Sequence, residues 1–318
     1  MRLLILGAGG RHRTEAALAR AARQLGHDTR VVDALGHRRR LGPLAPPLIR
    51  WLVERAEPEL ILCTRHAISA GEAMLRALLR GRRTAFWYFD APAPLPPRVL
   101  ALAGVVREIY ATYGFQVAAF HRAGFTARFL PQGSDPAVDQ PARRIPKAFD
   151  CDLSFLGSGQ FERRYEILRH FGEAGRLQIR GPLWAGAPPG LPVAGGTVRG
   201  AVVAQVIGGA ALSLGINALP PEDSEQDGGT SNRLWRVLGA GGCFLGEYVP
   251  GVERFAAPGR HALWYREVEE GVVLARQYLA DPAARRAIAA AGRAHALAHH
   301  TYAHRLALLL AGQGYTST

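Results

Sequence analysis

The stretch CDLSFLGSGQFERRYEILRHFGEAGRLQIR, residues 151–180, contains the pattern that decides the fold. Its apolar start CDLSFL predicts a buried strand, and a turn with two glycines follows it. RRYEILRHF then has the spacing of an amphipathic helix, and LQIR predicts the next strand. A strand, a helix and a second strand in this order form a unit with parallel strands, and the same alternation continues on both sides. The sequence therefore predicts a doubly wound α/β fold.

The alternation stops once, over residues 134–150, where three prolines and charges of both signs are typical of a linker. A chain of 318 residues is also too long for one ordinary core. We therefore predict two Rossmann-like domains, 1–146 and 147–302, with a last helix at 303–314 that packs back on the first domain. Ligands of such sheets bind beyond the carboxyl ends of the strands, and two facing sheets form a cleft.

The composition is that of a globular protein, with 48% hydrophobic and 20% charged residues. Cys63, Cys151 and Cys243 are far apart and odd in number, which argues against a disulfide framework or a zinc site and is typical of a reducing cytoplasm. The start of the chain does not have the pattern of a signal peptide. The apolar segment 200–219 is rich in glycine and is predicted to be a buried helix and strand. We expect a cytoplasmic protein.

The formal net charge of +13 and the pI of about 10.5 favour acidic partners, which include nucleic acid, anionic membrane surfaces and phosphorylated ligands. Only GHRRR, residues 36–40, is a true cluster of arginines, and the other arginines are scattered. The alternative interpretation is a generally basic protein without such a partner. Peripheral contact with the inner face of a membrane is one expectation that this charge supports.

The first glycine-rich turn is Gly7-Ala8-Gly9-Gly10, and Asp33 ends the second strand. Three interpretations stay open. The turn is a tight connection only, or it binds a dinucleotide with Asp33 on the ribose, although His12 replaces the third glycine of that pattern. In the third, Gly9 and Gly10 line an acceptor site and His12 acts as a base.

Asp90 follows the fourth predicted strand in WYFDAP, at the end where ligands bind. A carboxylate at this place, beside two aromatic residues, has the chemistry to bind sugar hydroxyls or to take a proton. The alternative interpretation is that Asp90 only closes a turn.

The second half repeats the layout of strand followed by glycine turn, with Gly157 and Ser158 in the turn and with Arg163 and Arg164 one helical turn further on. In GGTSNRLWR, residues 228–236, three residue types that favour helix starts precede Arg233. Helix starts and arginines attract phosphate groups, and an acid such as Glu222 accepts hydrogen bonds from sugar hydroxyls. Local capping and a solvated helix face explain the same residues without a ligand.

The second half resembles the C-terminal domain of GT-B glycosyltransferases, in particular the CgeB-like proteins grouped with glycosyl transferases group 1. The similar segments in this half are CDLSFLGSGQFERRYEIL, LQIRGPLW, SNRLWRVLGAGGCFLGEYVPGVERFAAPGRHALWY and DPAARRAIAAAGRAHALAHHTYAHRLALLL. WYFDAP and ARFLPQGSDP in the first half are also similar to segments of that family. The resemblance implies the GT-B fold, two Rossmann-like doubly wound domains that face each other across a cleft.

The resemblance also implies a reaction. A nucleotide sugar, most simply a UDP-sugar, binds to the second domain, and the acceptor, a protein, glycan, lipid or nucleic acid, binds to the first. The family transfers hexosyl groups, usually with retention and without metal or cofactor. The residues assigned to the donor are Gly157, Ser158, Arg163, Arg180, Gly181, Glu222, Thr230, Ser231, Asn232 and Arg233. The residues assigned to catalysis and the acceptor side are Asp90, His12, Gly9 and Gly10.

One position departs from the family pattern. The pattern S-x-R-x-F-E-A is represented by Ser231 to Val237, and Arg236 stands where the family has the acid that binds the donor ribose. Another acid such as Glu222 or Glu247 replaces it, or the donor differs, or catalysis is weakened. The alternatives are therefore a nucleotide-sugar-binding protein that has lost its chemistry and, from the first glycine turn, an oxidoreductase that uses NAD or FAD.

Overall fold

The chain forms two six-stranded parallel sheets, each in its own compact unit. The computed structural model describes residues 1–90, 94–218, 229 and 231–316. The first unit consists of Met1–Gln132 and Tyr302–Thr318, and the second of Gly133–Thr301. The two doubly wound units agree with the predicted fold class.

The sheet of the first unit has the strand order β2-β1-β3-β4-β5-β6, so the order reverses beside β1. Its strands are β1 Arg2–Gly7, β2 Asp28–Asp33, β3 Leu60–Cys63, β4 Thr84–Tyr88, β5 Glu108–Ala111 and β6 Ala127–Phe129. Its helices are α1 Thr14–Gln24, α2 Ala34–Leu41, α3 Ala45–Arg55, α4 Glu72–Leu79, α5 Pro97–Ala103, α6 Gly114–Arg122 and, from the end of the chain, α12 Tyr302–Leu310.

Both faces of this sheet are buried, which explains why its strands are continuous apolar runs. Leu4 of β1 packs on the face that α2 to α6 cover, whereas Ile5 packs on the opposite face with Leu18 of α1 and Leu306 of α12. Adjacent residues of a strand point to opposite faces, so a strand between two helix layers needs apolar residues at both parities.

The sheet of the second unit has the order β12-β11-β10-β7-β8-β9. Its strands are β7 Cys151–Leu156, β8 Leu177–Arg180, β9 Val193–Gly195, β10 Ala210–Gly215, β11 Phe244–Glu247 and β12 Leu263–Tyr265. Its helices are α7 Arg163–Gly172, α8 Ala201–Gly209, α9 Arg233–Gly239, α10 Val268–Ala280 and α11 Pro282–His299. The apolar segment 200–219 contains α8 and β10, as predicted. Across the described helices, none has both the length and the apolarity of a membrane span.

The second unit begins at Gly133, before the predicted boundary at 146/147, because the segment expected to be a linker hydrogen bonds into it. The Ser134 amide donates to the His300 carbonyl at 2.8 Å. The Asp135 amide donates to Asp139 Oδ2 at 2.9 Å, and Asp139 is 6% exposed. A Cβ on Gly133 would lie 2.7 Å from the Thr301 carbonyl carbon, so the close approach requires glycine.

The last helix, predicted at 303–314, belongs to the first unit as α12. Arg305 is buried, and its Nε donates to the carbonyls of Pro131 at 3.1 Å and Gln132 at 3.2 Å. Burial lowers the pKa of Arg305 to about 10. The Tyr110 hydroxyl donates to the Leu309 carbonyl at 3.2 Å, so α12 is tied to β5 as well.

Three short elements were not predicted. The sequence of α2, ALGHRRRL, has no apolar period, and its start is defined by Asp33, whose side chain accepts a hydrogen bond from the Gly36 amide at 2.8 Å. The helix α5 has only seven residues and starts among prolines. The glycines and prolines of WAGAPPGLPVAGG, residues 184–196, predict a loop, but Val193–Gly195 within it forms the edge strand β9.

Candidate functional site

The glycine turn after β1 is occupied by carboxylates of the chain itself. Glu15 is 3% exposed, and its Oε1 accepts hydrogen bonds from the Ala8 amide at 3.0 Å and the Thr64 hydroxyl at 2.7 Å. Burial opposes ionisation of Asp33, but hydrogen bonds from the Gly9 and Gly36 amides outweigh it, and the pKa of Asp33 is lowered. The turn therefore presents two acids where a pyrophosphate needs donors, which argues against the dinucleotide interpretation.

His12 and Gly10 lie on the exposed part of this turn. Gly10 has a φ of +113°, a left-handed conformation that favours glycine, so a local reason for this residue exists. His12 is exposed, and its Nε2 is 3.1 Å from Arg11 Nε. His12 is not among the residues that line the cavity at Asp90. Its assignment as a base stays a prediction.

Asp90 lies just after β4 and lines a cavity of about 450 Å³ in the first unit. Its Oδ2 is 2.8 Å from Arg65 Nη1. Burial raises the pKa of Asp90, while Arg65 opposes the rise. Burial and then Arg65 lower the pKa of the neighbouring His66. The polar residues around the cavity are Arg65, His66, Ser69, Tyr88, Asp90 and Arg98.

Arg65 and His66 were missed in the sequence. They lie in a 3-10 turn, Arg65–Ala70, directly after β3. Their position at the carboxyl end of a buried strand was the available signal, because LILCTR, residues 60–65, predicts a strand that ends at Arg65.

The second glycine turn packs against the end of β8. The Gly157 amide donates to the Arg180 carbonyl at 3.0 Å, and the Trp184 indole donates to the Gly157 carbonyl at 3.0 Å. A Cβ on Gly181 would lie 1.8 Å from the Gly157 oxygen, so glycine is required at this contact. The Arg180 guanidinium lies 4.8 Å from the centre of the Phe149 ring. Gly157, Arg180 and Gly181 therefore have local structural partners, whatever ligand they bind.

Arg163 forms a bidentate ion pair with Glu247. Its Nη2 and Nη1 lie 2.6 and 3.2 Å from the Glu247 carboxylate oxygens, and Oε2 also accepts the Asn217 amide at 2.6 Å. The pair connects the start of α7 with the ends of β10 and β11. Arg163 is thus not part of a solvated helix face, and Glu247, which we considered as a substitute for the missing family acid, is bound to it.

The sequence did not distinguish Arg164 from Arg163. Arg164 is 4% exposed, and it donates to the carbonyls of Ser158 at 2.7 Å and Ile216 at 3.2 Å. Arg233 donates to the carbonyls of Leu156 at 2.6 Å and Ile216 at 3.2 Å. Both guanidinium groups lie near the Phe155 ring, at 5.5 and 4.6 Å from its centre. The two arginines hold the ends of β7 and β10 together beside the start of α9.

The predicted capping by Ser231 and Asn232 was wrong. Asn232 precedes α9 with φ −54° and ψ −13°, and its side chain caps nothing, because a capping residue needs an extended backbone. Its Oδ1 is buried and has no hydrogen-bond partner within the described ranges. The Ser231 hydroxyl accepts from Arg233 Nη1 at 3.2 Å. Thr230 and Glu222 lie outside the described residues.

A cavity of about 250 Å³ lies between β7, β10, α8 and α9. Val203, Ile207 and Leu214 supply apolar walls. The hydroxyls of Ser154 and Ser213, 3.2 Å apart, lie on the sheet side. The polar residues from the α9 side are Ser231, Asn232, Arg233 and Arg236. An apolar cavity with a few convergent polar groups is typical of a site for a small ligand.

Arg236 lines this cavity and pairs with Asp139, whose Oδ1 is 3.4 Å from Arg236 Nε. Burial raises the pKa of Asp139, and Arg236 acts against the rise. The position of the family acid thus holds a cation, and its carboxylate partner comes from the segment that the sequence predicted to be a linker.

The second half of the chain is similar to a known family. A profile of the family described as "Glycosyl transferase-like" matches residues 163–311. No curated protein matches the sequence significantly.

Solved structures are similar over nearly the whole chain. HepE of Anabaena in complex with UDP and glucose is 15% identical, with a TM-score of 0.65 and with 98% of this chain and 99% of that chain covered. Sucrose-phosphate synthase from Thermosynechococcus elongatus is 14% identical, with a TM-score of 0.66 and coverage of 97% and 98%. A glycosyltransferase from Rickettsia africae is 9% identical, with a TM-score of 0.64 and coverage of 97% and 96%. These similarities confirm the GT-B fold.

Proposed function

Because residues 163–311 match the profile of the glycosyl transferase-like family, we propose that the protein transfers a hexosyl group from a nucleoside diphosphate sugar to an acceptor. The observation that carries the proposal is the cavity beside α9, inside the second unit, with Ser231, Asn232 and Arg236 on its polar side. UDP is the favoured nucleotide, since a structure of the same fold, HepE, holds UDP-glucose.

The donor binds at the carboxyl ends of β7 and β10. The apolar walls and the two serine hydroxyls accommodate the nucleoside. Asn232 Oδ1, which has no hydrogen-bond partner among the described residues, accepts a hydrogen bond from the nucleoside. Arg163 and Arg233, with Gly157, Ser158 and Ser231, lie on the diphosphate side. Cationic groups fixed before the reaction stabilise the leaving diphosphate without a metal.

The acceptor binds at the cavity of the first unit. The Asp90 carboxylate, oriented by Arg65, accepts a hydrogen bond from an acceptor hydroxyl. With retention, the departing phosphate takes the proton of that hydroxyl, and Asp90 positions it. If Asp90 or His12 were itself the essential base, transfer would proceed with inversion. Gly9 and Gly10 stay on the acceptor side in this proposal.

Calorimetric titration with UDP, GDP, dTDP and ADP tests donor binding. Asn232→Asp puts a negative charge into the cavity at almost unchanged volume, and we expect UDP affinity to fall at least tenfold, on the order of the repulsion between two close charges. Gln277→Glu, an exposed change of the same charge on α10, is the control and leaves the affinity unchanged. Absence of binding by all four nucleotides contradicts the proposal.

The second candidate is a protein that binds nucleotide sugars without transferring them. The Arg236–Asp139 pair favours it, because the cation stands at the position of the family's ribose-binding acid. Release of UDP from UDP-glucose, followed with and without a panel of acceptors, separates the two functions. Tight binding with no release of UDP under any condition supports the binding protein.

A further inference from the structure

The first unit has an apolar surface that no part of the described chain covers. It lies on the end of α2 and the outer side of α3, and we call it the α2–α3 surface. Its apolar members are Leu41, Leu44 and Trp51, which are 39%, 73% and 53% exposed. Exposed apolar residues are ordinary when single, but three within eleven positions of one helical hairpin form a patch.

Two members of the patch lie on the same side of α3. Leu44 directly precedes α3, and Trp51 lies seven residues later, two helical turns along the same side. Ile49 and Val53 of the same helix are fully buried against the core, so α3 already uses its inner face. The Arg55 guanidinium lies 5.3 Å from the centre of the Trp51 ring. An aromatic ring beside a guanidinium is a combination suited to an interface between water and lipid.

The same segment is strongly basic. Residues 34–55 contain five arginines and one acid, Glu54, which gives +5 − 1 = +4 with His37 neutral. Glu54 is paired with Arg50 at 2.7 Å. Arg38, Arg39 and Arg40 are exposed at the end of α2, next to Leu41. The only run of three consecutive arginines in the sequence therefore borders the apolar patch.

We propose that the α2–α3 surface binds the surface of an anionic lipid bilayer. Leu41, Leu44 and Trp51 enter the boundary between headgroups and acyl chains, and the arginines contact lipid phosphates. Nucleic acid requires the positive charge but gains nothing from an exposed leucine, so the combination favours lipid. The proposal is independent of the donor site, which lies in the other unit.

Trp51 makes the test direct. The other four tryptophans, Trp87, Trp184, Trp235 and Trp264, are at most 8% exposed, so changes in emission on contact with vesicles report Trp51. The full chain is mixed with vesicles of phosphatidylglycerol and phosphatidylethanolamine, and with vesicles of phosphatidylcholine alone. We expect cosedimentation with the anionic vesicles only, weaker at high salt, and quenching of the emission by lipids brominated in the acyl chain.

Two variants separate the contribution of charge to membrane binding from that of apolar area. Arg38→Gln/Arg39→Gln/Arg40→Gln loses three charges, each of which contributes about fivefold to the partition coefficient, so we expect a loss of at least tenfold. Leu44→Ser removes apolar area and weakens quenching of Trp51 while the charge is unchanged. The control Arg76→Gln/Arg80→Gln/Arg122→Gln changes the net charge equally at exposed sites in or directly after other helices of the first unit, α4 and α6.

Three results overturn the proposal. One is the absence of binding to anionic vesicles, and another is an equal loss in the control triple. The third is retention on duplex DNA that the Arg38–Arg40 triple variant abolishes, without any quenching by brominated lipid. Circular dichroism melting curves show that each variant is folded, and sedimentation velocity without lipid excludes an interface between two copies if Leu44→Ser leaves the mass unchanged.

Discussion

Glu247 accepts hydrogen bonds from two different parts of the second unit, the Arg163 side chain and the Asn217 amide. We expect Glu247→Gln to lower the free energy of unfolding by about 1 to 3 kcal/mol, because Arg163 then lies against a neutral group in a mostly buried place. Urea denaturation measures the change. The exposed Glu253→Gln is the control, and a loss of equal size there contradicts the assignment.

Asp90 has a raised pKa because of burial, so it takes up a proton at a higher pH than an ordinary aspartate. If its carboxylate binds the acceptor, kcat/KM falls as the pH is lowered through this raised pKa. Asp90→Asn should lower kcat/KM about 10- to 100-fold and remove the acidic limb of the pH profile. Asp28→Asn, exposed at the start of β2, should leave the profile unchanged. If the acidic limb persists in Asp90→Asn, the titration of another group causes it.

Single residues mark how far the sequence predicts the site. Asp90, Arg163 and Arg233 were assigned to the site because they follow strands or begin helices, and those positions are local properties. Arg164 was read as one of two equivalent arginines on a helix, but packing buries it while Arg163 stays partly exposed. Only the tertiary structure decides between such neighbours.

The helix α9 is fastened to the 134–139 segment through Arg236 and Asp139. Arg236→Glu, which restores the family acid, places two carboxylates together, and we expect a loss of about 1 to 2 kcal/mol at pH 7. The loss should shrink as the pH falls through the raised pKa of Asp139. Arg236→Gln removes the ion pair with Asp139 but adds no second carboxylate. Its effect on stability should therefore not depend on pH in the same way. Thermal melting at pH 7 and pH 5 tests this.

The helix α11 ends in a histidine cluster. The rings of His261 and His295 are stacked at 4.0 Å, and the Nε2 atoms of His295 and His300 are 3.1 Å apart. Burial lowers the pKa of His295 from 6.5 to about 4, and it lowers the pKa of His261. The unfolded chain therefore binds protons first, and stability present above pH 6.5 is lost as the pH falls towards about 4.

We expect the second unit to lose about 1 to 2 kcal/mol between pH 7 and pH 5 through His295, after a discount for its partial exposure. His295→Gln should flatten this slope in urea denaturation, whereas His170→Gln, at a half-exposed side chain outside the cluster, should not. An unchanged slope in His295→Gln places the sensitivity elsewhere.

At the level of elements, the sequence predicts those strands and helices whose burial requires a regular pattern of apolar residues. Strands between two helix layers are apolar throughout, and α1, α7, α10 and α11 have regular apolar spacing. The helices α2 and α5 have neither signal and form because their neighbours fix them, α2 through the Asp33 cap and α5 through contact with the first core. The missing cap at α9 depends on the backbone angles of Asn232, which no residue pattern specifies.

The two units have separate cores, so we expect two calorimetric transitions. Leu306 is fully buried between α12 and the first sheet, and Leu306→Ala should lower the stability of the first unit by about 2 to 4 kcal/mol. Saturating UDP should stabilise only the second unit. The free energy of unfolding of that unit should rise by about 2.7 kcal/mol when the UDP concentration is one hundred times Kd. Leu168→Ala, in the second core, is the matched variant and should lower that transition instead. A shift of both transitions in either variant contradicts the separation.

The whole-molecule organisation was predictable in outline. Two runs of alternating strands and helices with an interruption between them indicated two domains. The division at Gly133 was not predictable. The prolines that suggested a linker lie in a segment whose buried Asp139 is held by tertiary contacts.

The adjacency of Ser134 and Thr301 makes the second unit an insertion in the first. During synthesis, the inserted unit is complete once Thr301 has left the ribosome, whereas the first unit, although it begins at residue 1, still lacks α12. Until then Trp87, Leu18 and Ile5 have no cover from Leu306 and Leu309. The half that is made first is thus the half that finishes folding last, and a nascent chain must keep that apolar face from aggregation until its final residues arrive.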